Sequence, residues 1–376
     1  MPNVQRVTEK VFQSPSKYIQ GPAAIKNAAK YLAPLGKAPL LIADTIVYEI
    51  AGKSLTAALE QGGFKVTRGV FGGEASNQEI QRLSVIGQSS GVDFVIALGG
   101  GKTSDTAKAT ADQLKLEVAV LPTTASTDAP CSALSVLYHP NGEFAQYSFF
   151  MKNPSIVLVD TSVIVRAPPR FLASGIGDAL ATNVEARAVR NSLNFGKGLP
   201  TEVSAAIGQK CEEILFKYGR QAVEANKAQA ITPAFEAVVE ANTLLSGLGF
   251  ESGGLAAAHA IYDAFTAIDD HNLHQFMHGE KVAFGTICQL ILDGASTAEL
   301  ERYMELMRSV GLPITLAQLG IPNVTDEQLR SVARLACAPE ETIWNLDRVL
   351  SDDIVFNAIK GADAAGRDYE SKVVGR

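Results

Sequence analysis

The sequence predicts an α/β protein of two domains, in which a doubly wound parallel sheet comes first and an all-helical domain follows. Three observations lead to this prediction. Apolar segments alternate with helical patterns through residues 39–159, a run of three glycines joins one of these segments to a helix, and after residue 167 the apolar period is helical almost throughout. We therefore place the domains at 1–167 and 168–376 and expect the active site in the cleft between them.

Composition agrees with a two-domain globular protein. The chain has 376 residues, 47% of them hydrophobic and 19% charged, which is enough to bury a sizeable core in two domains of roughly 150 residues. With a net charge of -7 and dispersed Lys and Arg, it offers no basic surface for nucleic acid. No apolar run reaches the ~18 residues of a membrane span, and residues 1–20 lack the apolar core of a signal peptide. We expect a cytoplasmic protein without nucleic-acid or membrane partners.

The order of elements defines the first domain. Apolar strands are predicted at 39–43, 65–71, 94–98, 117–121 and 155–159. A helix is predicted at 51–61, and Ser76-Asn77-Gln78-Glu79 is typical of a capping box that opens the next one. Strands that alternate with helices form a mostly parallel sheet covered on both faces, so this half is predicted to be a Rossmann-like nucleotide-binding domain.

The segment 93–109, DFVIALGGGKTSDTAKA, organises this domain. Its apolar strand runs directly into Gly99, Gly100 and Gly101, and a helical pattern follows. Glycine lets the chain turn sharply and lets an anion approach the backbone amides, while a helix start adds unpaired N–H groups and a positive dipole. This combination suits the phosphate or pyrophosphate of a nucleotide. Because the run matches neither G-x-G-x-x-G nor the P-loop pattern, a purely structural turn is the alternative.

A polar loop and a run of helices complete the chain. The loop lies between Leu121 and Tyr138, is dense in Thr, Ser, Asp and Pro, and follows a predicted strand, where such folds bind ligands; a solvated connection is the alternative. The second domain is predicted to contain helices at 171–187, 202–224, 233–248, 254–266, 278–292, 297–310, 326–337 and 351–369.

The placement of histidines indicates a metal site in the second domain. Four of the five histidines fall between His259 and His278, and histidine is the commonest metal ligand. Asp178 lies among small and apolar residues, where an acid is costly to bury unless it is paired or holds a cation. One carboxylate and two histidines would bind Zn²⁺ through three protein groups and leave a fourth position open, as in catalytic zinc sites. Hydrogen-bonded core histidines and an acid paired with Lys or Arg are the alternatives.

Six sequence runs stand in order between residues 99 and 321. They are GGGKTSDTAKA, PTTASTDAPCSALSV, GIGDALAT, GFESGGLAAAHA, HGEKVAFGT and GLPITLAQLGI, and SPSKYIQGPAAI at 14–25 extends the pattern towards the N-terminus. Together they resemble the metal-dependent group III alcohol dehydrogenase family, also called the iron-containing type, and within it the glycerol-oxidising branch. The resemblance covers nearly the whole chain.

The resemblance implies an activity and a metal site. It implies NAD-linked, zinc-dependent oxidation of glycerol to dihydroxyacetone and of related small 1,2-diols, with hydride transfer from a metal-bound alkoxide to NAD. Asp178, His259 and His278 would hold one Zn²⁺ per subunit, and Asp128 would hydrogen-bond a substrate hydroxyl. Thr182 stands where many family members carry a further histidine, which favours zinc over ferrous iron.

The resemblance also implies a cofactor site and an assembly. The cofactor-binding residues would be Asp44, Gly100, Gly101, Lys102, Thr123, Ser126, Ser132, Leu134 and Tyr138. An acid at Asp44 would accept hydrogen bonds from the adenosine ribose and repel the 2′-phosphate of NADP, so NAD is expected. His274, one turn before His278, is a candidate proton relay and an alternative ligand. The family forms large homo-oligomers, so an octamer is expected.

Two other enzyme activities share this architecture. A dehydroquinate-synthase-like lyase that uses NAD and zinc, or a glycerol-1-phosphate dehydrogenase, would need a cluster of Lys and Arg near the metal to hold a phosphorylated substrate. In the sequence around the histidines the one basic residue is Lys281, which disfavours both. A non-catalytic nucleotide-binding sensor is a third alternative.

Overall fold

The computed structural model describes residues 7–375, apart from the side chains of Phe144 and Val374. Within this range the chain forms two compact units. An α/β unit comprises 14–172 and 224–247, and a helical unit comprises 7–13, 173–223 and 248–375. The domain bounds 1–167 and 168–376 stay a prediction, and their two ends lie outside the described residues. The segment 224–247, which follows the predicted boundary, packs in the α/β unit.

A parallel six-stranded sheet forms the centre of the α/β unit. The strands of the unit are β1 (Lys17–Gly21), β2 (Pro39–Ala43), β3 (Thr67–Val70), β4 (Phe94–Gly99), β5 (Glu117–Pro122), β6 (Leu134–Tyr138), β7 (Phe144–Phe149) and β8 (Ile156–Asp160). The sheet order is β1-β8-β5-β4-β2-β3, with every pair parallel, while β6 and β7 form a separate antiparallel hairpin. This confirms the doubly wound class and all five predicted strands; β1 and the hairpin were not predicted.

The helices of the two units were mostly predicted by their apolar period. They are α1 (Ala28–Leu32), α2 (Thr45–Val47), α3 (Lys53–Gln61), α4 (Asn77–Ser90), α5 (Gly101–Leu114), α6 (Thr161–Ile164), α7 (Pro169–Ala188), α8 (Glu202–Lys227), α9 (Pro233–Glu240), α10 (Ser246–Gly253), α11 (Ala257–Ala264), α12 (His271–His274), α13 (His278–Leu292), α14 (Thr297–Ser309), α15 (Asp326–Ala336) and α16 (Asp352–Val374). Among the described residues, no helix combines the length and the apolar character needed to cross a membrane.

Two helix predictions differ from the structure in detail. The predicted capping box of α4 forms only in part: Ser76 Oγ accepts the Glu79 amide at 3.3 Å, but the Glu79 carboxylate instead binds the Gly72 amide and Arg82. The predicted helix at 233–248 is interrupted by a π-helical turn, Ala241–Leu245, between α9 and α10. Such turns depend on tertiary contacts and often occur near functional sites.

The central strand of the sheet explains the position of the glycine turn. Every residue of β4 is buried, as expected for a parallel strand covered on both faces. Its neighbours β2 and β5 run in the same direction, so the segments after all three strands meet at one edge. In open α/β sheets this carboxyl edge is where ligands bind.

Candidate active site

Three side chains predicted as metal ligands lie together in the helical unit. Asp178 comes from α7, His259 from α11 and His278 is the first residue of α13. Asp178 Oδ1 is 3.0 Å from His278 Nε2 and 3.4 Å from His259 Nε2, and one ligand atom from each residue lies within 4.8 Å of the others. Asp178 and His259 are buried, whereas the His278 side chain is 32% exposed. One oxygen and two nitrogen donors with an accessible side fit a three-ligand catalytic zinc site, and metal binding stays a prediction.

The electrostatics of this cluster favour a cation. Burial raises the pKa of the Asp178 carboxyl, but the adjacent His278 and His259 rings outweigh burial and hold that pKa well below its usual range. Burial likewise lowers the pKa of His259, but Glu185 and Asp178 outweigh it and raise that pKa well above its usual value. The buried acids Asp178 and Glu185 therefore favour positive charge at this cluster, where a bound cation would take the place of a proton on the rings.

Glycine contacts bring the ligand-bearing helices together. A Cβ on Gly279 would collide with the Ser174 carbonyl of α7, and a Cβ on Gly177 would collide with the Gly279 carbonyl of α13. A Cβ on Gly285 would likewise collide with the Ala258 carbonyl of α11. These small residues let α13 touch the backbones of both neighbouring helices, which places His278 beside Asp178.

A buried acid that the sequence analysis missed supports His259. Glu185 Oε2 lies 2.6 Å from His259 Nδ1, and Glu185 Oε1 accepts the backbone N–H groups of Ala256 and His259 at 2.9 and 3.0 Å. A sequence signal exists, because Glu185 lies seven residues after Asp178 on one helix and so projects from the same face.

His274 lies outside this cluster. Its side chain is 56% exposed, and its Nε2 is 3.6 Å from Asp269 Oδ1. Among the described residues, the group close enough to share a cation contains His278 and not His274. The structure thus favours His278 over His274 as the ligand, while the proton-relay role of His274 stays a prediction.

The glycine turn lies at the carboxyl edge of the sheet, at the start of α5. None of Gly99, Gly100 and Gly101 has a positive φ, so conformational freedom does not explain them. A Cβ on Gly99 would collide with Thr103, whereas one on Gly100 or Gly101 would make only ordinary contacts, 3.7 and 3.5 Å from threonine hydroxyls. Glycine is therefore required by close packing at position 99, and at 100 and 101 it leaves the amides of the helix start uncovered by side chains.

The charged residues predicted for the cofactor occupy this same edge. Asp44 follows β2 and caps α2, with Oδ1 accepting the Val47 amide at 2.8 Å. Lys102 Nζ lies 2.7 Å from Glu74 Oε2 and 5.1 Å from the centre of the Tyr138 ring. The predicted anion-binding lysine is thus held beside a predicted cofactor-lining tyrosine.

The predicted residues of the loop after β5 lie next to the turn. The Thr123 amide donates to Gly99 O at 3.0 Å, and the Ser126 hydroxyl is 3.1 Å from that of Thr124.

Ser132 and Leu134 contact a buried lysine, Lys108, that the sequence analysis did not single out. Lys108 Nζ is 3.4 Å from Ser132 Oγ, also donates to Leu134 O, and pairs with Asp105 Oδ1 at 3.0 Å. This lysine fixes the loop against α5.

Asp128 is buried in the same loop. Its Oδ2 accepts the Ser246 hydroxyl at 2.8 Å, and a Cβ on Gly247 would lie 2.9 Å from its carbonyl oxygen. Asn242, in the π-helical turn, donates to Ala125 O at 3.0 Å. The π-helical turn and the first residues of α10 therefore position the acid that was predicted to bind substrate, a relation that no local sequence pattern reveals.

Comparison with known proteins agrees with this class of protein, in which a doubly wound parallel sheet accompanies a group of side chains that could hold a metal ion. The profile of the family described as iron-containing alcohol dehydrogenase matches residues 15–161. A glycerol dehydrogenase from Pseudomonas putida is 47% identical over 96% of this chain and 99% of its own, and a glycolaldehyde reductase from Halobacterium salinarum is 42% identical over 95% and 98%. The crystal structure of glycerol dehydrogenase from Schizosaccharomyces pombe superposes with a TM-score of 0.94 at 43% identity, covering 97% of this chain and 93% of that one.

The chain belongs to the iron-containing alcohol dehydrogenase family. It is therefore an oxidoreductase of a metal-dependent, NAD-linked family.

Proposed function

We propose that the chain is an NAD-linked glycerol dehydrogenase that uses zinc to oxidise glycerol to dihydroxyacetone and accepts related small 1,2-diols. The observation that carries the proposal is the Asp178, His259 and His278 group, whose ligand atoms lie within 4.8 Å, in a chain 47% identical to a glycerol dehydrogenase over nearly its full length. The comparisons do not favour the lyase or the glycerol-1-phosphate dehydrogenase.

The donor set supports zinc. Two imidazole nitrogens and one carboxylate oxygen are ligands that Zn²⁺ accepts in a tetrahedral site with one open position. Thr182, one turn after Asp178 on α7, is buried and supplies no imidazole for a fourth protein ligand. We propose one Zn²⁺ per subunit, although the family takes its name from iron.

The residues of the chain have separate tasks in the proposed reaction. When bound, the metal supplies Lewis acidity that lowers the pKa of an alcohol hydroxyl, and NAD supplies the hydride acceptor. Asp178, His259 and His278 would hold the metal, and the burial of Asp178 and His259 would limit the access of water to it. Asp128 accepts a hydrogen bond from the substrate hydroxyl next to the one that is oxidised. This favours 1,2-diols over simple alcohols, because a simple alcohol has no second hydroxyl to donate to the buried carboxylate. His274 is proposed to pass the released proton to solvent.

The carboxyl edge of the sheet supports NAD as the cofactor. The amides at Gly100 and Gly101 and the ammonium of Lys102 suit a pyrophosphate, and Thr123, Ser126, Ser132, Leu134 and Tyr138 would line the rest of the site. A carboxylate at Asp44 would accept ribose hydroxyls and repel a 2′-phosphate. A homo-oligomer, an octamer by resemblance, and a cytoplasmic location complete the proposal.

Metal analysis combined with substrate comparison tests this function. We expect about one zinc per chain, NADH formation with glycerol, loss of activity on chelation, and recovery with Zn²⁺. Parallel assays use glycerol phosphate, glycolaldehyde with NADH, and NADP in place of NAD. The proposal would be contradicted by activity that survives complete metal removal. A preference for glycerol phosphate would favour the glycerol-1-phosphate dehydrogenase instead, and turnover without net NADH formation would favour the lyase.

A further inference from the structure

We propose that Glu185 is a positioning residue for the metal: it fixes the His259 ring with its hydrogen on Nδ1, so that Nε2 is the nitrogen presented to the ion. The inference rests on the proposed metal site and extends it to a residue that is not itself a ligand. Within the described residues, the cation-binding group holds Asp178 but not Glu185.

The hydrogen bonds of Glu185 determine which nitrogen of His259 faces the cluster. Glu185 Oε2 is 2.6 Å from Nδ1, and the other ring nitrogen, Nε2, is 3.4 Å from Asp178 Oδ1. Both acids can only accept hydrogen bonds, and the contact of Nδ1 with Glu185 is much the shorter, so the hydrogen of the neutral ring belongs on Nδ1. The lone pair of Nε2 is then available for a cation beside Asp178. Partners of this kind orient metal-binding histidines and raise their basicity.

The same carboxylate fixes the backbone that carries the ring. Glu185 Oε1 accepts the N–H groups of Ala256 and His259, around the start of α11. Glu185 and Ala256 are fully buried, so these N–H groups need a protein acceptor. A negative side chain at a helix N-terminus is also favoured by the helix dipole. Ring orientation and backbone position are therefore set by one side chain.

Gln289 offers a matched control on the same helix start. Its Oε1 accepts the N–H groups of Ala257 and Ala258 at 2.8 and 3.0 Å, and it is as buried as Glu185. It thus caps the same turn of α11 through the backbone, next to the two N–H groups bound by Glu185. If Glu185 acted only by stabilising this turn, replacing Glu185 should have the same effects on stability and on metal affinity as replacing Gln289.

The test is Glu185→Gln, which keeps the size of the side chain but replaces one oxygen with an NH₂ group. If the NH₂ group faces Nδ1, it donates to that nitrogen, so the ring hydrogen moves to Nε2 and Nε2 cannot bind the metal. If it faces the other way, it opposes the backbone N–H groups of Ala256 and His259, which lose their acceptor. Chelator competition should show a Kd for Zn²⁺ about 10–100-fold weaker than in the wild type. The absorption spectrum of the Co²⁺-substituted protein should change as well, since the nitrogen ligand is altered.

Two further variants separate positioning from general stability. Gln289→Met should lower the thermal midpoint of the metal-depleted protein and leave the Zn²⁺ affinity and the Co²⁺ spectrum unchanged. Glu185→Asp keeps an acceptor-only carboxylate and should bind Zn²⁺ more tightly than Glu185→Gln. Because its shorter side chain weakens the contact with Nδ1, it should also bind Zn²⁺ less tightly than Gln289→Met, and this second comparison gives a result even if the Gln variant folds poorly. Wild-type affinity in Glu185→Gln, equal metal loss in Gln289→Met, or weaker binding by Asp than by Gln would overturn the inference. Absence of zinc from the wild-type protein would instead refute the proposed function on which it rests.

Discussion

At the scale of single residues, Asp128 connects the fold to substrate choice. We expect Asp128→Ala to lower kcat/KM for glycerol about 10–100-fold, since a hydrogen bond to a charged group contributes roughly 1.5–3 kcal/mol. Turnover of a simple alcohol should fall much less, because it lacks the second hydroxyl. Steady-state kinetics with both substrates, together with zinc content and NAD affinity, measure this.

Two comparison variants define the role of Asp128. Ser246→Ala removes the hydroxyl that donates a hydrogen bond to Asp128 Oδ2, and it should lower kcat/KM for glycerol less than Asp128→Ala does. Asp112→Ala changes an exposed acid on α5 and should leave glycerol kinetics intact. Unchanged kinetics in Asp128→Ala would exclude the proposed contact with substrate.

Glu341 gives a prediction about pH. Burial raises the pKa of its carboxyl to about 7, with Asp263 and Glu340 adding to the effect. Between the ordinary carboxyl value and 7, the native state binds more protons at this residue than the unfolded state does, so its contribution makes stability fall as the pH rises through that window. At pH values above 7, Glu341→Gln should therefore have a higher thermal midpoint than the wild type. In acid the two midpoints should be equal.

The control for Glu341 is Glu327→Gln, which neutralises an exposed acid on α15. Thermal melts of both variants across the pH range separate a loss of charge at one site from a general change in net charge. An equal gain in Glu327→Gln, or a gain in Glu341→Gln that persists in acid, would contradict the assigned cause.

At the scale of elements, the contact of α13 with α7 holds two of the predicted ligands together. A Cβ on Gly279 would collide with the Ser174 carbonyl, which belongs to helix backbone and cannot move away as a side chain could. Gly279→Ala should therefore destabilise the fold by about 1–3 kcal/mol and lower zinc content, because overpacking separates Asp178 from His278. Denaturant unfolding and metal analysis of the purified variant measure both effects.

Gly361→Ala is the matched substitution for this contact. Its Cβ would lie 3.4 Å from Ile291 Cγ2, an ordinary contact between α16 and α13, so better helix propensity should make the change neutral or stabilising. Full zinc content in Gly279→Ala would show that the close approach of α13 to α7 is not needed for the metal site.

The elements also show how far the sequence determines the structure. β2 and α13 have the predicted bounds because an uninterrupted apolar strand and a long helical period are local signals. The π-helical turn at Ala241–Leu245 was not predicted, since the Asn242 contacts that accompany it lie far away in sequence. Likewise Asp178 and the histidines could be found by residue type and resemblance, whereas Ser246 and Lys108 matter only through partners that folding brings near.

At the scale of the whole molecule, the residues predicted to hold the metal and those predicted to line the NAD site belong to different compact units, so each cofactor should protect its own part of the chain from hydrogen exchange. Zinc held by Asp178, His259 and His278 would connect α7, α11 and α13 and should slow amide exchange at their contacts. A ligand that binds only the native state stabilises it by about 2.7 kcal/mol at a concentration one hundred times its Kd. NAD should slow exchange at 99–106 and 123–134. Exchange is measured by mass spectrometry with zinc, with a chelator and with added NAD, and α3, which packs against α1 and carries none of the predicted metal or cofactor residues, provides an internal reference. If chelation left α11 and the start of α13 unchanged, the cation would not be held by these helices, whatever the activity of the protein.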